Sequence, residues 1–353
     1  MDSLTHIVFG ATLGEVILGK KIGKKALLFG AIANTIPDLD VFLVFGDPIR
    51  EITIHRGFSH SIVFPFLLAP LLAWLAFRFL KDPVGWKEWF LFCFVLILTH
   101  PLLDSLTAYG TQLFLPFSDF RVNFSNLFII DVLFTLPMLI AAISLWVMKR
   151  NNGKRLILGK RALLISGSYV ILSLAAKLHV NRVFSTALEE KGIYSSHQMT
   201  GTTPFNILLW YTVAEVDSGY FVGDYSLLDA DRKIPFHFLR RNDHLLADFR
   251  KEYATDRMIW FSNRFYSVEK VKDETRFFTL KFGMTGFDVS KPLSESVPFY
   301  YQMKRNQDGK LEIESVRKVK DLDLPKVFKQ LYVRVLGDRN AYQEKSENRK
   351  SAQ

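Results

Sequence analysis

The sequence predicts an α-helical multi-pass membrane domain followed by a β-rich α+β soluble domain. Three observations predict it: apolar runs of membrane-spanning length recur through the first half, Lys and Arg gather in alternate breaks between those runs, and period-two alternation takes over after about residue 181.

The 353 residues are enough for two domains. Hydrophobic residues make up 49% of the chain and aromatics 14%, a surplus that needs an apolar environment. The net charge of +10 raises the question of nucleic acid. The basic residues sit in short loops between apolar runs and do not interleave with aromatics on one stripe, so no nucleic-acid partner is expected. The single cysteine, Cys93, excludes an intrachain disulfide and any cysteine-based zinc site. The opening "MDSLTHIVFGATLGEVILG" has no basic n-region and carries Asp2, His6 and Glu15, so it does not read as a cleavable signal peptide.

Apolar spans fall at roughly 4–19, 26–45, 62–80, 88–106, 127–148 and 162–180, about six helices. A bilayer crossing needs about 20 apolar residues. The first two are short or broken: 4–19 lacks length and 26–45 is interrupted by "NTIPDLD". Tilted, re-entrant or discontinuous helices would suit both. Lys20, Lys21, Lys24 and Lys25, then Arg78, Lys81 and Lys87, then the six basic residues of "KRNNGKRLILGKR" mark three connections that stay cytoplasmic. With six spans, all three fall on one side. The opposite connections carry His6, His55, His60, His100 and Asp104, which places the histidines at the outer face.

Residues 1–180 therefore form the expected membrane-embedded domain. Residues 181–336 form a β-rich extracytoplasmic domain, and 337–353 a polar tail expected to be disordered. Strands are expected within 208–227, 258–271, 275–284, 297–305 and 310–316, separated by "DSG", "KDE" and "NQDG", with a closing amphipathic helix over 325–336.

Ionisable groups beside apolar spans are costly and mark function. His6 opens the first span, where an interfacial histidine is the plain alternative. Asp38 and Asp40 follow Pro37 among Ile36, Leu39, Val41 and Phe42, so their turn is not freely solvated. "HRGFSHS" offers His55, Arg56 and His60, with Ser59 and Ser61 also available as helix caps. His100 and Asp104 share one helical face one turn apart, a spacing that suits two ligands or a ligand and its orienting carboxylate. Asp131 reads equally as a further ligand, a partner for Arg56 or Arg121, or an interfacial acid. No G-x-S-x-G, Walker lysine or G-x-G-x-x-G occurs. A divalent metal, zinc or manganese, activating water is the chemistry this donor set favours. Arg56 and Arg121 suit either a phosphate in the transition state or a lipid headgroup.

The ordered set THIVFG, PDLD, HRGFSHS, HPLLD, YGTQLFLPFS, IID and TPFN resembles the membrane-bound metal-dependent hydrolases of the YdjM/YbcI type, over approximately residues 1–210. It is more distantly similar to zinc-dependent phospholipase C. The resemblance implies His6, Asp38, His55, His60, His100 and Asp104 as metal ligands, with Asp40 near them, in a multi-pass protein of the bacterial inner (plasma) membrane. Asp40, Arg56 and Arg121 are the candidate catalytic side chains. Val132 stands where the family has proline. The expected function is a hydrolase of a phosphoester or lipid-like ester, with membrane lipid as partner. A metal-ion or small-solute transporter using the same His/Asp site, and a non-catalytic scaffold, are the alternatives.

Overall fold

The computed structural model describes residues 1–44, 46–284, 292–317 and 324–339. The chain forms two compact units, Met1–Leu174 with Pro204–Asn206, and Ala175–Thr203 with the described residues from Ile207 onward.

The first unit is helical. Helix α1 (Ser3–Ile22) starts where the Asp2 carboxylate accepts the Thr5 amide at 3.1 Å, a side-chain cap. Helix α2 (Lys24–Thr35) runs into a 3₁₀ segment, Ile36–Leu43. Pro37 has no N–H to continue the α ladder, and the chain tightens there. Helix α3 (Pro48–Ile54) and a single 3₁₀ turn, Phe58–His60, lead to α4 (Val63–Phe79). Helices α5 (Trp86–Ser105), α6 (Val132–Val147) and α7 (Lys154–Glu189) follow.

Three of these stretches are long and apolar enough to cross a bilayer: Lys24–Leu43, Trp86–Ser105 and Lys154–Glu189. Pro48–His60 with Val63–Phe79, bent by 60°, makes a fourth if the pair counts as one span. The six expected spans are thus not reproduced. His6, Glu15, Lys20 and Lys21 dilute the hydropathy of α1, and the 16 residues of α6 fall short of the roughly 20 a crossing needs.

Helices α1 and α2 pack backbone to backbone. A Cβ on Gly10 would collide with the Gly30 carbonyl, one on Gly30 with the Gly10 carbonyl, and one on Gly14 with that of Ala26. Small residues at this spacing let apolar helices approach closely, where packing and not water drives association.

The basic connections meet at one end of the unit. Lys21 bonds Glu88 at 2.7 Å, Lys25 bonds Asp82 at 2.8 Å, and Arg150 donates to the Lys21 carbonyl. Arg155, read from sequence as a loop cation, is instead buried. Its guanidinium grips both oxygens of Glu15 at 2.8 and 2.6 Å and the Leu145 carbonyl at 2.6 Å. His6 at the start of α1 and His100 near the end of α5 lie at the far ends of those helices from Lys21 and Glu88.

The second unit contains two four-stranded antiparallel meanders. One has β1 (His197–Thr202), β2 (Leu209–Val216), β3 (Gly219–Ser226) and β4 (His237–Arg240); the other has β5 (Tyr266–Val271), β6 (Glu274–Thr279), β7 (Phe299–Arg305) and β8 (Leu311–Arg317). Strand β2 is buried along nearly its whole length. Tyr211 and Val213 face the second sheet, packing with Phe278, Leu280 and Tyr300, while Trp210 packs with Val183, Phe184 and Ala187 of α7. That double burial follows from the two-residue side-chain period. The expected strand over 258–271 is half right: Tyr253–Phe261 is a helix, α8, and only Tyr266–Val271 is strand. After the short helix α9 (Leu293–Ser296), the closing helix is α10 (Leu324–Val335). Its Arg334 is 2% exposed and pairs with Asp224 and, through both outer nitrogens, with Asp229 at 2.6 and 2.9 Å. Of the expected tail, residues 340–353 lie outside the described residues.

Replacing Gly30 by Leu should destabilise the protein by about 1–3 kcal/mol, the cost of overpacking a closed contact. Gly153→Ala, where no atom lies within 4 Å of the added carbon, should leave thermal unfolding in detergent unchanged. Arg334→Ala should cost about 3–5 kcal/mol, because it leaves the buried Asp224 carboxylate without its cation and takes one of two from Asp229, and denaturant unfolding reads the loss.

Candidate metal centre

Four side chains from three segments converge: Asp38 from the 3₁₀ extension of α2, His60 from the turn before α4, and His100 and Asp104 from α5. Their donor atoms all lie within 4.8 Å of one another. His60 Nε2 is 3.0 Å from His100 Nε2, 3.4 Å from Asp38 Oδ1 and 3.3 Å from Asp104 Oδ2. His100 Nε2 is 3.3 Å from Asp38 Oδ1 and 3.4 Å from Asp104 Oδ2. These five of the six donor separations are the spacing of ligands gathered about 2 Å from one shared ion at their centre, the usual zinc–nitrogen and zinc–oxygen bond length.

The neighbours fix which atoms can face that centre. His100 Nδ1 donates to the Asn34 carbonyl at 2.5 Å, so its Nε2 carries a lone pair. Asn34 is itself held by its amide on the Leu96 carbonyl at 2.6 Å. His60 Nδ1 lies 3.0 Å from Ser59 Oγ and 3.3 Å from Asp40 Oδ2; in the neutral tautomer that donates there, Nε2 is the atom turned to the centre. Asp104 Oδ2 is buried with no hydrogen-bond partner. Two imidazole lone pairs and two carboxylate oxygens therefore point at one volume. A divalent cation can accept all four donors at once. The residues present fit a metal ion.

Of the six ligands expected, the cluster takes Asp38, His60, His100 and Asp104. His6 and His55 lie outside it. His6 stacks on His100 with ring centroids 3.7 Å apart and puts Nε2 3.1 Å from the other oxygen of Asp104, Oδ1. His55 bonds Asp40 through Nδ1 at 2.6 Å and is part-exposed. Sequence spacing could not separate these roles, because each depends on which ring nitrogen the tertiary neighbours occupy.

Among the expected catalytic groups, Asp40 accepts from His55, from Ser59 Oγ at 2.8 Å and from the Arg56 amide at 3.1 Å. It orients imidazoles, the arrangement by which outer carboxylates tune metal-bound histidines. Arg56 has a positive φ of 59° and is buried, with Nη2 3.2 Å from Asp104 Oδ1 and Nη1 3.0 Å from Thr107 Oγ1. It neutralises Asp104. The Met1 amino group also touches that carboxylate. Arg121 does not reach the cluster; its guanidinium serves the carbonyls of Ile52, Gly110 and His55 at 2.6, 2.9 and 3.3 Å. Tyr109 lies between the two arginines, each 4.8 Å from its ring. Asp131, left with three readings by the sequence, caps α6 by accepting the Phe134 amide at 3.1 Å and accepts the Tyr169 hydroxyl at 3.1 Å. Phe205 of "TTPFN" meets the Phe128 ring at 5.8 Å.

Asn34, Thr107 and Tyr109 escaped the sequence reading because neutral side chains carry no ligand signature. The Gly10–Gly14 spacing that sets α1 against α2 was open to detection as G-x-x-x-G.

A helical unit with apolar spans and one buried His₂Asp₂ cluster defines a membrane protein with a candidate metal centre. The chain belongs to the YdjM inner membrane protein family, whose pattern matches residues 1–180. It is 34% identical over 121 residues to the inner membrane protein YbcI of Escherichia coli (strain K12), covering 33% of this chain and 69% of that protein. It is 24% identical over 308 residues to the uncharacterized protein YfhP of Bacillus subtilis (strain 168), covering 81% of this chain and 88% of that one. No solved structure matches.

Metal analysis of the purified full chain should find His100→Ala and Asp104→Asn depleted, and His55→Ala loaded like the parent. Asp40→Asn should weaken metal affinity about 10–100-fold without abolishing it, read by competition with a chelating dye.

Proposed function

We propose that the protein is a membrane-embedded, metal-dependent hydrolase of phosphoesters or lipid-like esters. The single observation behind the proposal is the orphaned Asp104 Oδ2 facing Asp38 and the Nε2 atoms of His60 and His100. Asp38, His60, His100 and Asp104 would hold the ion, zinc before manganese given the N₂O₂ donor set. When bound, such an ion polarises a phosphoryl or carbonyl oxygen and acidifies water.

The chain's own groups supply the rest. Asn34 and Asp40 hold the two imidazoles in the ligating tautomer, and Arg56 offsets the charge of Asp104. Asp38 and His55 are the accessible members, with side chains 22% and 17% exposed, so substrate would arrive on their side. His55, its Nδ1 turned to Asp40, leaves Nε2 to take a proton there. The meeting of the basic connections at the opposite end supports a cytoplasmic position for that end. The cluster and the C-terminal domain would then lie on the outer face, in a multi-pass protein whose partners are lipids.

A second reading, transit of a metal ion, has its own support: four protein donors surround one volume, whereas catalytic zinc usually has three protein ligands and one open position. One experiment separates the two. Full-length protein in detergent should contain stoichiometric metal and turn over a phosphodiester or phospholipid, with chelation or His60→Ala abolishing turnover. Zinc flux into liposomes without ester turnover would establish the transit reading, and absence of bound metal would defeat both.

A further inference from the structure

Away from the cluster, the second unit holds a cavity of about 220 Å³ with an unusual charge arrangement. Its wall is one face of the last turns of α7: His179, Arg182, Val183, Thr186, Ala187 and Glu190 recur at the three- and four-residue spacing that puts side chains on one helical stripe. Val183 and Ala187 form an apolar floor, 4% and 5% exposed. Arg232, from the segment between β3 and β4, closes the other side.

That segment is held in place. Asp231 accepts from Arg339 Nη1 at 2.7 Å and from the Lys233 amide at 2.8 Å, and Arg339 also donates to the Asp231 carbonyl at 2.7 Å. Ile234 is 1% exposed in the core that also contains Val180, Val183 and Phe184. Arg232 is thus carried on a fixed backbone, yet among the described residues its guanidinium, that of Arg182 and the His179 ring have no hydrogen-bond or ion-pair partner. Glu190 lies in the lining and none of the three engages it. Two guanidiniums and a histidine thus border one cavity without a carboxylate bonded to any of them, an arrangement that favours an anion.

We infer that this cavity is a binding site for a phosphate group. Paired guanidinium forks match phosphate oxygens bidentately, and the Thr186 hydroxyl adds a donor. The apolar floor favours a phosphate carried on a hydrocarbon or ring. The phosphate could come from an anionic lipid headgroup or from a free phosphoester, and both present the same oxygens. The inference is independent of the metal centre, since no residue of the cavity belongs to the helical unit.

The test uses the full chain in neutral detergent with two probes: inorganic phosphate followed by calorimetry, and phosphatidylglycerol against phosphatidylcholine in mixed micelles followed by retained lipid. Arg182→Ala with Arg232→Ala should lower binding at least tenfold, while Lys191→Ala with Lys233→Ala, equal charge removed outside the cavity, should not. Both arginines are exposed, so an unchanged unfolding midpoint certifies the fold. Loss of inorganic phosphate binding identifies a free phosphate ligand, and loss of phosphatidylglycerol retention alone identifies a lipid headgroup. Failure of the parent protein to bind either probe, or equal losses in both double variants, overturns the site.

Discussion

Four ligating atoms from three segments, gathered within 4.8 Å of one another, are the constraint around which the helical unit is organised. Packing holds the backbones of Asp38, His60, His100 and Asp104 in place. The Gly10, Gly14 and Gly30 contacts press α1 against α2, and α2 delivers both the Asn34 carbonyl that turns His100 and the 3₁₀ segment that carries Asp38. Packing spread along two helices keeps the cluster assembled, and the tightness of that packing sets how sharply its geometry is defined.

The polar groups behind the cluster make its burial tolerable. An isolated buried carboxylate is very costly, and each one here has a cation or donors within reach. Arg56 and His6 serve one oxygen of Asp104, while Ser59, His55 and the Arg56 amide serve Asp40. The Arg56–Tyr109–Arg121 stack ties this shell to the loop that follows α5. The helical unit is therefore polar at two places for different reasons: lysine and arginine pairs close one end, and an inward-facing donor set occupies the other.

The second unit rests on ordinary sheet physics. Strand β2 contributes one row of side chains to the facing sheet and the other to α7, and α10 is clamped to the first sheet by Arg334 between Asp224 and Asp229. Fixed loops and a rigid helix face are what allow unpaired cations such as Arg182 and Arg232 to stay aimed into one cavity.

The sequence by itself determined the helical first half, the β-rich second half, the three basic connections and a set of six candidate ligands that contains the four of the cluster, because hydropathy, period-two alternation, charge placement and the motifs are local properties of the chain. The number of crossing helices was not legible, since His6 and Glu15 dilute α1 and the bend after His60 divides another span. Nor was the division of labour among the histidines. Whether His55 faces a metal or a carboxylate, and whether Arg121 faces a ligand or three carbonyls, depends on neighbours tens of residues away. Arg155 makes the same point: a loop cation by sequence, it is a buried partner of Glu15 because the fold brings together positions 140 residues apart. Residue type states what a side chain can bind, and only the tertiary contacts decide which of its atoms remain free to do so.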